Sequence, residues 1–132
     1  MNKLIQQYFS KIEVRLLENP IYKDYMILRK EIFYNEAKIR LKISLENGDT
    51  IELFEYLCEL NSNLENRKYS YHWQTCDGKL VKRWDNAPHH KELETFPHHI
   101  HTDEKSVKPN SAIPNILSIL DYIEQVNSNP GK

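Results

Sequence analysis

All six histidines of the chain lie between His72 and His101, in company with Arg83, Asp85 and Asn86. Most belong to two runs, Arg83-Trp84-Asp85-Asn86-Ala87-Pro88-His89-His90 and, five residues on, Phe96-Pro97-His98-His99-Ile100-His101. Imidazole changes charge near neutral pH and is the commonest metal ligand, so this crowding points to proton transfer, anion binding or metal coordination. Pro88 and Pro97 stiffen the backbone that presents the rings.

Metal-independent cleavage of RNA suits this set best. One imidazole would remove the ribose 2′-hydroxyl proton, another would protonate the leaving oxygen, and Arg83 would stabilise the charge growing on the phosphoryl group. The expected catalytic residues are His72, Arg83, Asp85, His89, His90, His98 and His99. Within them His89 or His90 would work with His98 or His99, and Asp85 would orient a ring through its nitrogen. Trp73 or Trp84 would stack on a base, and Asn86 and His101 complete the expected substrate contacts. This chemistry needs no metal and no cofactor. The rival is a metal-dependent hydrolase, since imidazoles with one carboxylate suit zinc, nickel or iron at a site open to water. His99 and His101 project to one side of an extended segment, and Asp85 or His89 would complete the ligand set; the helical His-Glu-x-x-His spacing is missing. A third possibility is a histidine surface that only docks a protein or a nucleic acid.

Charge favours an anionic ligand. The chain carries a net charge of −1, which argues against a general nucleic-acid-coating surface. Between Arg67 and Lys91, however, Arg67, Lys68, Lys79, Lys82, Arg83 and Lys91 stand against only Asp77 and Asp85, a local charge of +4. Lysines that guard a hairpin edge would give the same bias. At 132 residues one domain is expected, residues 1–132, with a frayed tail from 126 onward. No apolar run approaches the roughly 20 residues of a membrane span and no secretion signal is evident, so a cytoplasmic protein without membrane contact is expected. Cys58 and Cys76 lack Cys-x-x-Cys spacing, so neither a disulfide framework nor a thiolate zinc knuckle is suggested and buried or inert thiols are expected.

The elements that must carry these residues follow from periodicity. Leu4, Ile5, Tyr8, Phe9, Ile12 and Leu16 recur at helical spacing and predict an amphipathic helix from about residue 2 to residue 17, ended by Asn19-Pro20. Ile113, Ile116, Leu117, Leu120 and Ile123 predict a second helix after Ser111, with Pro114 in its first turn. Between them the period becomes two. Strands are predicted over Tyr25 to Tyr34, Ala37 to Leu45, Thr50 to Leu60, Lys68 to Cys76 and Lys79 to Trp84. The expected fold is α+β, a five-stranded antiparallel β-meander packed with an N-terminal and a C-terminal helix.

Turn chemistry sets what faces what. A two-residue Asp77-Gly78 turn would place His72 opposite Arg83, Tyr71 opposite Trp84 and Ser70 opposite Asp85, with His72, Arg83 and Asp85 on one face. At Asn47-Gly48 two geometries compete. A three-residue turn puts Glu55 on the apolar face with Ile51, Leu53 and Leu57, where burial would raise its pKa and suit it to carry a proton or to pair with a cation; a two-residue turn sets it against Arg40.

Glu55-Tyr56, Tyr71-His72-Trp73 and the two histidine runs, in this order and spacing, resemble the TumE family of small toxins of type II toxin–antitoxin modules, over about Leu45 to Ile123. The resemblance implies a prokaryotic toxin masked by a cognate DNA-binding antitoxin; it supplies a biological role without a reaction. RNA is the expected target, a homodimer is allowed, and the exposed edge of the meander could dock an antitoxin segment as an added strand.

Overall fold

Period-two alternation through the middle of the chain becomes one antiparallel sheet whose strands lie side by side in sequence order. The structure, a computed structural model, describes residues 2–88, 97–102, 107–109 and 113–128. Helix α1 (Lys3–Glu18) is followed by β1 (Tyr22–Phe33), β2 (Glu36–Leu45), β3 (Thr50–Leu60), β4 (Asn63–Gln74), β5 (Leu80–Asp85), β6 (His99–His101), β7 (Val107–Pro109) and helix α2 (Ile116–Asn127). The α+β class and both helices are as expected, but among the described residues the sheet has seven strands and not five. The two additions are three residues each, too short for alternation to register, and the first is made of the very histidines that read as loop. They continue the ladder past β5: Trp84 pairs with Ile100 and Ile100 with Lys108.

Smaller departures have local causes. Strand β4 begins at Asn63, before the expected Lys68, because Asn61 and Ser62 both take positive φ (53° and 64°) and close a two-residue hairpin turn. Helix α2 begins at Ile116, with Pro114 outside it. Asn115 caps it, accepting from the Ser118 N–H at 2.8 Å, while its own N–H donates to Ser118 Oγ at 2.9 Å. Both Gly-containing turns have three residues. The Gly48 N–H donates to the Leu45 carbonyl and the Leu45 N–H to that of Asp49; Gly78 with Thr75, and Thr75 with Lys79, repeat the pattern. Gly48 and Gly78 sit at φ +94° and +86°, where a side chain is strained. Around Asp77-Gly78 the expected two-residue turn is therefore wrong, yet His72 faces Arg83 as expected. A bulge at Val81 offsets the extra turn residue and restores the register.

Both helices cover the same face. Ile5, Phe9, Ile12 and Leu16 of α1 and Ile116, Ile119, Leu120 and Ile123 of α2 are buried in one core with Ile39, Leu41, Ile43, Ile51, Leu53, Tyr69, Tyr71, Trp73 and Trp84. Each fully buried aliphatic side chain contributes roughly 1.5–3 kcal/mol. Among the described residues no helix is long and apolar enough to cross a membrane.

One carboxylate lies inside this core. The three-residue Asn47-Gly48 turn pairs Ile39 with Glu55 and Arg40 with Phe54, so Glu55 points inward, 0 % exposed, and meets no arginine. It accepts from Tyr8 Oη (2.7 Å), Tyr71 Oη (2.5 Å), the Ile116 N–H (2.9 Å) and Asn66 Nδ2 (3.3 Å), joining α1, β4 and the start of α2. Burial raises its pKa to about 7, against the opposing pull of the Tyr71, Tyr8 and Ile116 hydrogen bonds. The folded protein therefore keeps a proton that the unfolded chain releases above its ordinary value of 4.5. This group's contribution is full below that value and is lost as pH rises through the folded pKa, on the order of 3 kcal/mol in all. Glu55→Gln, which mimics the neutral acid, should flatten the decline in urea-unfolding stability between about pH 5 and about pH 8; a slope equal to that of the wild type would contradict the assignment.

Candidate active site

Pairing across β3 to β6 writes two rows, polar except for Phe54, onto the sheet face that the helices leave uncovered. One runs Glu52, His72, Arg83, His101; beside it runs Phe54, Ser70, Asp85, His99. Side chains of a strand alternate between faces, so the residues between these, Tyr71, Trp84 and Ile100, point into the core.

Asp85 organises the cluster and is only 4 % exposed. Its Oδ1 lies 2.7 Å from His99 Nε2 and accepts the Ala87 N–H at 3.1 Å. Its Oδ2 accepts from Arg83 Nε at 2.9 Å and lies 3.8 Å from His101 Nε2. His99 is 1 % exposed, and its Nδ1 sits 2.9 Å from the Pro97 carbonyl. A carbonyl can only accept, so Nδ1 is the donor there, and Nε2 faces the Asp85 carboxylate. Pro97 thus acts through its carbonyl oxygen as well as its fixed φ.

His72 completes the row of Glu52, Arg83 and His101. Its Nε2 is 3.0 Å from Gln74 Oε1, which leaves Nδ1 as the acceptor facing Arg83 Nη1 at 3.4 Å. His101 stands on the other side of Arg83 in the same row, its ring edge-on to His99 at 4.9 Å. Neighbouring strands are about 4.8 Å apart, so two half-buried imidazoles flank one guanidinium at about 10 Å from each other.

Other residues expected at the site lie elsewhere. His98, one position from His99, is on the opposite face, its Nδ1 2.8 Å from Tyr69 Oη and its ring stacked on Tyr69 at 5.8 Å. Burial lowers its pKa, and the neighbouring His99 adds to this. It borders a cleft of about 510 Å³ with Asn66, Arg67 and Asn86. His98 and His99 therefore cannot share a substrate atom with the same partner. Trp73 and Trp84, expected to stack on a base, are buried against α2, edge-on to Tyr122 at 6.3 and 5.6 Å, and the Trp73 indole N–H donates to Asp49 at 2.9 Å. Asn86 accepts the Tyr69 N–H (2.9 Å) and donates to the Arg67 carbonyl (3.0 Å), committing its amide to the β4 backbone. His89 and His90 lie outside the described residues.

The cluster can serve either of two chemistries. Asp85, His99 and His101 offer ligand atoms within 4.8 Å of one another, a set fit for a divalent metal. Without a metal, His72, Arg83 and His101 offer an acid, a base and a cation to an anionic group.

Among known proteins, residues 12–127 match the family described as Toxin TumE, a match that reaches further toward the amino terminus than the motifs alone. No curated protein and no solved structure matches the chain.

Truncating Asp85 leaves a buried imidazole and a guanidinium without their acceptor. Asp85→Ala should lower unfolding stability by about 3–5 kcal/mol, and Asp85→Asn by less, as read by chemical denaturation. A loss under about 1 kcal/mol for Asp85→Ala would show that the carboxylate does not hold the cluster.

Proposed function

The chain belongs to the TumE toxin family, and from that premise we propose that it is the toxin of a type II pair, masked by a cognate DNA-binding antitoxin, which cleaves cellular RNA by acid/base catalysis. One observation carries this reading: His72 and His101 stand on either side of Arg83 in a single row of the sheet. His72 Nδ1, an acceptor in the tautomer that Gln74 favours, takes the proton of the 2′-hydroxyl. The 2′-oxygen attacks phosphorus, the bond to the 5′-oxygen breaks, and His101 gives that oxygen its proton. The products are a 2′,3′-cyclic phosphate and a 5′-hydroxyl, and solvent returns both rings to their starting states. Arg83 Nη groups stabilise the charge on the phosphoryl oxygens. Asp85 and His99, too buried to touch a substrate, are positioning residues that hold Arg83 and His101. This moves the acid/base pair away from His98 and His99, and raises His101 from a binding role to a catalytic one.

The edge of β1 is the place for an antitoxin segment added as a strand. Among the described residues nothing pairs with its outer side, and Met26, Ile27, Leu28 and Phe33 are exposed along it.

A metal-assisted hydrolysis is the second reading, favoured by the Pro97 carbonyl. It fixes His99 Nδ1 as the donor and leaves Nε2 directed at Asp85, the usual outer-sphere arrangement of a histidine ligand. A single assay separates the two. Purified protein incubated with RNA in chelator should leave 2′,3′-cyclic phosphate ends, and His72→Ala or His101→Ala should each slow cleavage about 10²–10⁴-fold. Activity lost in chelator and restored by zinc would instead favour the metal; RNA left uncut under both conditions would defeat both.

A further inference from the structure

The same uncovered face carries a feature the histidine chemistry leaves unused. Strand β2 alternates Lys38, Arg40 and Lys42 outward with Ile39, Leu41 and Ile43 inward. Alternate residues of a strand are about 7 Å apart, so the three cations form a regular line. Register continues that line into the candidate active site. Arg40 faces Phe54, which faces Ser70, which faces Asp85; Lys42 faces Glu52, which faces His72, which faces Arg83. Three strand spacings, about 14 Å, separate the β2 cations from Arg83.

Aromatic rings lie directly beside this line. The Arg40 guanidinium sits 4.7 Å over the Phe54 ring and Lys38 Nζ 5.3 Å over Tyr56. Arg40 keeps a side-chain exposure of 39 %, so its planar group is seated on one side and open on the other. Planar cations stacked on aromatics are the surface on which unpaired bases stack, while flanking ammonium groups take phosphates. In the three rows that run from Lys38, Arg40 and Lys42 toward β5, Lys68 and Arg83 add positive charge against Glu52 and Asp85, while on the β1 side Glu31 faces Lys38 and Glu36 accepts from Tyr56 Oη at 2.5 Å. Glu52 is partly neutralised by Arg40 at 3.9 Å.

We propose that Lys38, Arg40 and Lys42, backed by Phe54 and Tyr56, form the track that holds a single-stranded RNA across the sheet, a few nucleotides from the scissile phosphate at Arg83. This rests on the RNA reading of the His72–Arg83–His101 row for its biological ligand, but its test does not depend on cleavage. A duplex is too stiff to lay its bases on Arg40 and Tyr56, so the ligand is a single strand.

The probe is a short fluorescent 2′-O-methyl oligoribonucleotide, which cannot be cleaved through its 2′ position, followed by anisotropy at several salt concentrations. Replacing the three outward-facing cations together (Lys38→Gln, Arg40→Gln, Lys42→Gln) should weaken binding about tenfold or more. It should also reduce the slope of log K against log salt by about 2, roughly 0.7 for each single-strand phosphate that a cation no longer neutralises. Lys11→Gln, an exposed cation on helix α1 outside the proposed track, should bind the probe as the wild type does. Affinity and slope unchanged in the triple variant would overturn the track, whatever becomes of cleavage. So would equal losses for a duplex of the same length, or displacement of the probe by polyglutamate of matched charge, which would make the row a docking surface for acidic protein. Wild type that leaves RNA uncut yet binds the probe through these cations would defeat the catalytic reading and support the track.

Discussion

A single buried carboxylate, Asp85, sets the geometry on which the candidate site depends. It touches the guanidinium of Arg83, the ring of His99 and a backbone N–H, and lies within reach of His101. Isolated burial of such a charge is costly, and these donors are what make it tolerable. The same contacts leave Arg83 little freedom: with Nε bound to Asp85 and Nη1 near His72, its plane is fixed in the row between the two half-buried imidazoles. Preorganisation of this kind is what an anionic transition state needs from a cation.

Alternation of side chains divides the residues around the histidine runs between two environments. Tyr69, Tyr71, Trp73 and Trp84 belong to the helix-covered core; Ser70, His72, Arg83 and Asp85 belong to the other face. His98 and His99 fall on opposite sides for the same reason, and the stacking of His98 on Tyr69 keeps it there. Glu55 shows the rule from within: its parity sends a carboxylate into the core, and the fold answers with two tyrosines and the capped start of α2.

Much of this was legible in the residues. Helical stripes fixed α1 and α2, and the opposition of His72 to Arg83 followed from the Asp-Gly turn, although through two irregularities that cancel at Gly78 and Val81. The bulge itself left no signal, since Val81 looks like any strand residue. Strands β6 and β7 were hidden by their length, and with them the seating of His99 and His101 beside β5. Burial of the tryptophans was readable in principle, because Trp73 and Trp84 share parity with Tyr71; aromatic residues near a basic hairpin invite a stacking role only until the core claims them. The β2 cations were equally visible, alternating with Ile39, Leu41 and Ile43, but lie far in sequence from the histidines and join them only through three strand pairings.

In the proposed mechanism an RNA phosphate is taken up on Arg83 between His72 and His101, on the face the helices leave bare. A crystal structure with a bound, uncleavable 2′-deoxy dinucleotide tests this most directly. The phosphate should lie within hydrogen-bond distance of Arg83 Nη, with an imidazole nitrogen of His72 on one side and of His101 on the other. A phosphate seated instead in the cleft of Arg67, Asn86 and His98, on the opposite face, would contradict it.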